Sequence, residues 1–261
     1  MHTETARPSS RRLARGLLAA GLVAASASAS ALNAFTFNPG IAGLAGTPFT
    51  ADNLLVSDYA TVTLTSATTF TETGFLAITG AQLNNSTLTL PGLNSTWGMY
   101  IQFSGAGTLS GGNPLTSIVT GSFTSLSYTI YGYNGTASYG FSGTTPTTTA
   151  ASPVVLATGS LVGGSVVSIP GGGAFSPTAS VTASVGGASP AFTAPAGFYS
   201  QAFTSFTNTP SQVQLFAGGF MVQQGGGSIN FAGTVPEPMT SALLLGGLGL
   251  VGFVARRRNS R

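Results

Sequence analysis

The sequence has no cysteine and no lysine, and its single histidine is the second residue. Without cysteine there are no disulfide staples, no thiolate nucleophiles and no thiolate-ligated metals. Arginine is confined to the ends: all eight lie before residue 16 or after residue 255, so the pI of about 9.6 describes the tails alone. From Phe35 to Thr234 the only ionisable side chains besides tyrosine are Asp52, Asp58 and Glu72, a formal charge of −3. Charged residues make up 5% of the chain, against roughly 25% in an ordinary soluble protein, so Ser, Thr, Asn and Gln must build most of the solvated surface. Nucleic-acid binding relies on Lys and Arg to neutralise phosphates, and a body with neither is no partner for nucleic acid. Catalysis by proton transfer would have only three carboxyl groups to draw on, so the expectation is a non-enzymatic body without a cofactor.

The chain does have apolar content, 43% of its 261 residues, together with 37 glycines and 14 prolines. A body of about 200 residues between two terminal segments is long enough for one domain with a core. Trp97, Met99, Ile101 and Phe103 alternate with Gly98, Tyr100, Gln102 and Ser104, the period of two that buries one face of a strand. Val62 and Leu64 repeat the pattern among threonines, and Val154-Val155-Leu156 and Val166-Val167-Ser168-Ile169 also read as strands. The run from Tyr128 to Phe141, broken by Asn134-Gly135, predicts a hairpin with a type I′ turn. No stretch between Asn33 and Thr234 shows a capped helix of period 3.6. The fold class expected is therefore all-β, an antiparallel β-sandwich or jelly-roll-like ectodomain over residues 32–224, followed by a flexible Gly-rich stem at 225–234.

The two ends read as addresses. Residues 1–31 are expected to be a signal peptide. Arg7, Arg11, Arg12 and Arg15 precede an apolar run from Leu17 to Ala25, and an alternation of Ala and Ser offers cleavage after Ala27, Ala29 or Ala31. At the other end, Met239 to Ala255 is 17 residues without a charge, about 26 Å of helix and just enough to cross a bilayer. Arg256, Arg257 and Arg258 follow as a positive cytoplasmic stop, which places everything between the two segments outside. Ahead of the span, Val235-Pro236-Glu237-Pro238 is held extended by its prolines and cannot run into the helix.

This order of Pro-Glu-Pro, apolar helix and Arg cluster resembles the PEP-CTERM family of exosortase substrates, whose sorting signal occupies residues 235–261 here. The resemblance implies processing by exosortase near Pro236 to Pro238, a transient membrane anchor through 239–255, and release to the cell surface or the extracellular matrix. A narrower resemblance covers Phe35 to about Phe141. There Phe35-Thr36-Phe37-Asn38-Pro39, Phe49-Thr50-Ala51-Asp52-Asn53, Ser57-Asp58-Tyr59-Ala60 and Gly92-Leu93-Asn94-Ser95-Thr96 look like the flocculation-associated members.

Few side chains in the body are candidates for a site. Tyr100, Tyr131, Tyr133 and Tyr139 are suited to stacking against sugar rings, with core packing as the competing role, whereas Trp97 shares the buried face of its strand. Asp52 and Asp58 are oxygen donors of the kind that hold Ca²⁺, but their spacing matches no compact loop, turn capping accounts for such residues without an ion, and no metal is expected. An uncharged surface rich in hydroxyls and amides can approach polysaccharide, or another copy of itself, without charge repulsion. Association with exopolysaccharide in flocs or biofilm is the leading expectation, and a lectin-like module with one defined glycan is the alternative.

Overall fold

In the computed structural model, which describes residues 32–112, 117–168 and 176–232, the period-two stretches become long antiparallel strands. Two short strands, β1 (Phe35–Phe37) and β2 (Phe49–Ala51), lead into β3 (Asn53–Leu64) and β4 (Thr69–Leu83). The two-residue β5 (Ser86–Thr87) precedes β6 (Trp97–Ser110) and β7 (Val119–Asn134). A small hairpin, β8 (Tyr139–Ser142) and β9 (Thr145–Thr148), comes before β10 (Val154–Ser168) and β11 (Thr178–Ser184). The chain continues through β12 (Phe192–Ala194), β13 (Gln201–Thr207), β14 (Val213–Phe216) and β15 (Gly219–Ala232).

Strands β3, β4, β6, β7, β10, β11, β13 and β15 pair in that order, each antiparallel to the next. Strand β15 then pairs back onto β3, from Gly219 opposite Thr63 to Ile229 opposite Leu54. The all-β, antiparallel expectation holds, and the inner faces that two packed sheets would press together are here the inner wall of one sheet closed into an up-and-down barrel.

Large and small residues share the inner wall. A Cβ at Gly74 would strike the ring of Phe103, one at Gly107 the ring of Phe70, one at Gly159 the ring of Tyr128, and one at Gly227 the ring of Phe206. Each of these glycines therefore leaves room for an aromatic ring from another inward position, which is how a narrow barrel accommodates large side chains. One end is closed by the small sheet β12–β1–β2, whose Phe35, Phe37 and Phe192 meet Phe49, Phe198 and Phe231 at centroid distances of 4.2–6.4 Å. Trp97 is buried there, with its indole N–H donating to the Pro91 carbonyl at 3.0 Å.

Two expectations are corrected. The hairpin predicted over Tyr128 to Phe141 does not form, because both edges of β7 are already taken by β6 and β10. Asn134 instead holds the loop before β2, donating to the Gly43 carbonyl and accepting from the Ala45 N–H, each at 2.8 Å. The real hairpin is the next one, with Tyr139 opposite Thr148. The expected stem at 225–234 is also replaced, since residues 225–232 complete β15 and pair with both β3 and β13. Its glycines follow from packing: a Cβ at Gly225 would collide with the Asn208 carboxamide, and one at Gly227 with Phe206.

Among the described residues no helix is long and apolar enough to cross a membrane. The expected signal peptide at 1–31, the sorting tract Val235–Pro238, the span 239–255 and Arg256–Arg258 lie outside the described residues.

Replacing Gly107 by Val should destabilise the barrel by about 1–3 kcal/mol, because the side chain overpacks against Phe70 and the wall behind it. The same change at Gly140, where a Cβ meets nothing within 4 Å, should stay within about 0.5 kcal/mol. Urea denaturation of the two variants side by side measures the difference.

Candidate functional site

Outward positions of adjacent strands gather one set of rings. Tyr59 on β3, Phe75 on β4, Tyr100 on β6, and Tyr131 and Tyr133 on β7 point away from the barrel, and the β8–β9 hairpin folds over them with Tyr139. Tyr100 stacks on Tyr131 at 5.1 Å and 23°, and Tyr139 on Tyr59 at 5.6 Å and 30°. The Thr61 hydroxyl fastens the hairpin turn by donating to the Thr144 carbonyl at 2.5 Å. All four tyrosines singled out as sugar contacts are thus brought together, but not all on the surface. Tyr100 and Tyr133 are 4% and 1% exposed, so they form the floor of the patch and have no face for a sugar ring. Gly98 explains the burial of Tyr133, whose ring lies where a Cβ at Gly98 would stand. Burial, and then the neighbouring Tyr131 and Tyr133, push the Tyr100 phenol up from its ordinary value. Tyr131 and Tyr139 keep partial exposure.

Beside this patch runs a groove of about 370 Å³ between the tip of the β8–β9 hairpin and the outer wall. Thr73, Gln102, Ser104, Ser127 and Thr129 supply hydroxyls and an amide, and Phe75 supplies an apolar surface. No charged group lines it.

Asp52 is placed apart from the other two carboxylates of the body. Asp52 is buried in the bend between β2 and β3, where its Oδ2 accepts from the Asn84 N–H at 2.7 Å. It thereby steadies the tight turn whose central residues Asn84 and Asn85 have φ of 52° and 63°. Asp58 lies six residues further along the chain, roughly 20 Å of extended backbone, so Asp52 and Asp58 do not form a joint cation site. Among the described residues no group of three or more His, Cys, Asp or Glu could hold a metal ion.

Asp58 and Glu72 both point into the barrel, which sequence reasoning did not foresee. The signal was present in the alternation Leu54, Val56, Asp58, Ala60, Val62, which puts Asp58 on the apolar face of its strand. Glu72 stands opposite Val62 on the same inner wall, separated from Asp58 by the rung of Ala60 and Gly74. The interior they share is a cavity of about 110 Å³. Burial, and then the negative charge of Glu72, hold the Asp58 carboxyl well above the usual carboxylate range. Burial alone pushes Glu72 up to about 7. As a consequence the outer wall of the described residues carries no charged side chain.

A folded body without surface charge, set between a leader pattern and a C-terminal tract of prolines, apolar residues and arginines, defines a protein exported and sorted by its own C-terminus. Residues 234–258 match the PEP-CTERM protein-sorting motif, so the chain carries a PEP-CTERM sorting domain there. The motif implies exosortase as the processing partner, export, and a location at the cell surface or outside the cell. No curated protein and no solved structure matches the chain.

The inward carboxyls make stability depend on pH. Glu72 keeps its proton to a higher pH in the folded protein than in the unfolded chain, so its contribution is fully present below about pH 4.5 and is lost as pH rises through about 7. Asp58 acts in the same direction. The melting temperature should therefore fall between pH 4.5 and 8, and Glu72→Gln should flatten that fall. Calorimetric scans of both proteins across this range test it.

Proposed function

We propose that the mature chain is a non-enzymatic component of the extracellular matrix that promotes cell aggregation, floc or biofilm formation in association with exopolysaccharide. The observation that carries this reading is the uncharged outer wall, with Asp52 buried and with Asp58 and Glu72 turned inward. The wall still offers the hydroxyls and amides of its Ser, Thr, Asn and Gln residues. Such a surface meets neutral polymer, or a neighbouring copy, through hydrogen bonds and without the repulsion that keeps ordinary soluble proteins apart. The similarity of Phe35 to about Phe141 to flocculation-associated members supports the same reading.

Contacts of this kind are insensitive to ionic screening. Retention of the purified chain on its host's isolated exopolysaccharide should change by less than about two-fold between about 0.05 and 1 M NaCl, since screening weakens only interactions between charges. Cells lacking the gene should sediment more slowly. Strong loss of binding with salt, or unchanged floc formation in the deletion strain, contradicts the proposal.

The groove beside the tyrosine patch favours a second reading, a lectin-like module with one glycan. Amide and hydroxyl groups beside the apolar atoms of Phe75 and Pro146 match the mixed polar and apolar surface of a sugar. On this reading Gln102→Ala should lower the affinity for the preferred glycan about ten-fold, the effect of losing one or two hydrogen bonds in a binding groove. Titration calorimetry with a panel of oligosaccharides decides it, and a panel without a saturable ligand excludes it.

A further inference from the structure

The barrel interior combines an apolar wall with a surplus of acceptors. Val62, Leu76, Ile101, Phe103, Val181 and Phe220 provide most of the apolar lining, and Phe231 joins it to the aromatic plug at the closed end. Asp58 and Asn208, each 4% exposed, line the same cavity, and Asp58 Oδ1 and Asn208 Oδ1 have no hydrogen-bond partner. The two oxygens belong to one rung: Asp58 stands opposite Gly225, and Asn208 Oδ1 occupies the place where a Cβ of Gly225 would be. The Asn208 carboxamide is fixed from the other side, its Nδ2 donating to the Pro177 carbonyl at 3.1 Å.

The remaining donors of the lining are engaged in the same manner. The Tyr128 hydroxyl donates to the Ser184 carbonyl at 2.7 Å, the Thr178 hydroxyl to Val167 and the Thr204 hydroxyl to Val181, each of the latter at 3.5 Å. What faces the cavity unengaged is therefore acceptor oxygen and carboxyl. From residue 16 to residue 255 the chain has no Lys, Arg or His with which to balance them. A buried carboxylate without a partner is costly, so a group that brings both positive charge and N–H donors is the complement of this wall.

We propose that the barrel interior is a binding site for a small apolar amine, held as its ammonium with N–H donors to Asp58 Oδ1 and Asn208 Oδ1, the Glu72 carboxyl adding negative potential and the apolar body filling the cavity. At about 110 Å³ the space is smaller than the roughly 150 Å³ apolar cavity that takes one benzene, so the ligand carries a short aliphatic chain and no ring. The interior of an eight-stranded barrel is just wide enough to be filled by side chains or to hold one small ligand.

Butylamine, butanol and butyrate share one short chain and differ in charge and donors, which makes them suitable probes. In titration calorimetry of the full-length chain at pH 7.5, butylamine should bind one-to-one and at least about ten-fold more tightly than butanol, with no binding of butyrate. The double variant Asp58→Asn with Glu72→Gln keeps the shape of the cavity and removes both charges. It should bring butylamine down to the level of butanol, and a melting temperature at pH 8 no lower than that of the parent shows that it is folded. Failure of butylamine to saturate, a preference for the alcohol or the acid, or butylamine binding that is unchanged in the folded double variant would overturn the proposal. These outcomes are independent of polysaccharide retention, which depends on the outer wall.

Discussion

The ladders that β15 makes with β3 on one side and β13 on the other close the sheet, and the rest of the structure depends on that closure. Along the ring it leaves no unpaired backbone edge, a protection that matters for a chain with few charges to discourage strand-to-strand aggregation. It also turns the alternation of each strand into a division between inside and outside. Residues that alternate along β3 and β4 are sorted by it into an apolar, carboxyl-bearing interior and a hydroxyl-rich exterior.

Glycine is the means by which the closed sheet is filled. Where strands lie close around a narrow interior, a full set of large side chains would not fit and a full set of small ones would leave voids. Pairs such as Gly107 with Phe70 and Gly159 with Tyr128 resolve this by giving two positions' space to one ring. The same device works on the outside, where Gly98 makes room for Tyr133 and lets the tyrosine patch lie flat against the wall. Part of the high glycine content is thus a property of a packed barrel. The glycines at 225–227 illustrate it, since they read as a loose stem but lie in the strand that closes the ring.

The two functional readings draw on opposite faces of one sheet. The outer face is neutral because Asp52 and Asp58 are buried and Glu72 turns inward, and its hydroxyls and amides remain available to a polymer. The inner face has gained those carboxyls without gaining a cation, which raises their proton affinity and leaves acceptors unengaged. One burial pattern therefore accounts both for the uncharged surface and for the polar character of the cavity.

Strand content, the alternating face of Trp97, Met99, Ile101 and Phe103, the scarcity of charge and the sorting tract at the C-terminus were all legible in the sequence, because each is a local pattern of residue type and spacing. The partners of β7 were not, since Asn134-Gly135 favours a local turn and only the competing ladders of β6 and β10 override it. Nor was the grouping of Tyr100, Tyr131, Tyr133 and Tyr139 into a patch whose floor is two of them. By itself the sequence determined that this is an exported, nearly uncharged β protein with a C-terminal address. Only the tertiary structure decided that the sheet closes on itself and that Asp58 and Glu72 face inward, because a strand's alternation defines two faces and long-range pairing alone determines which of them is enclosed.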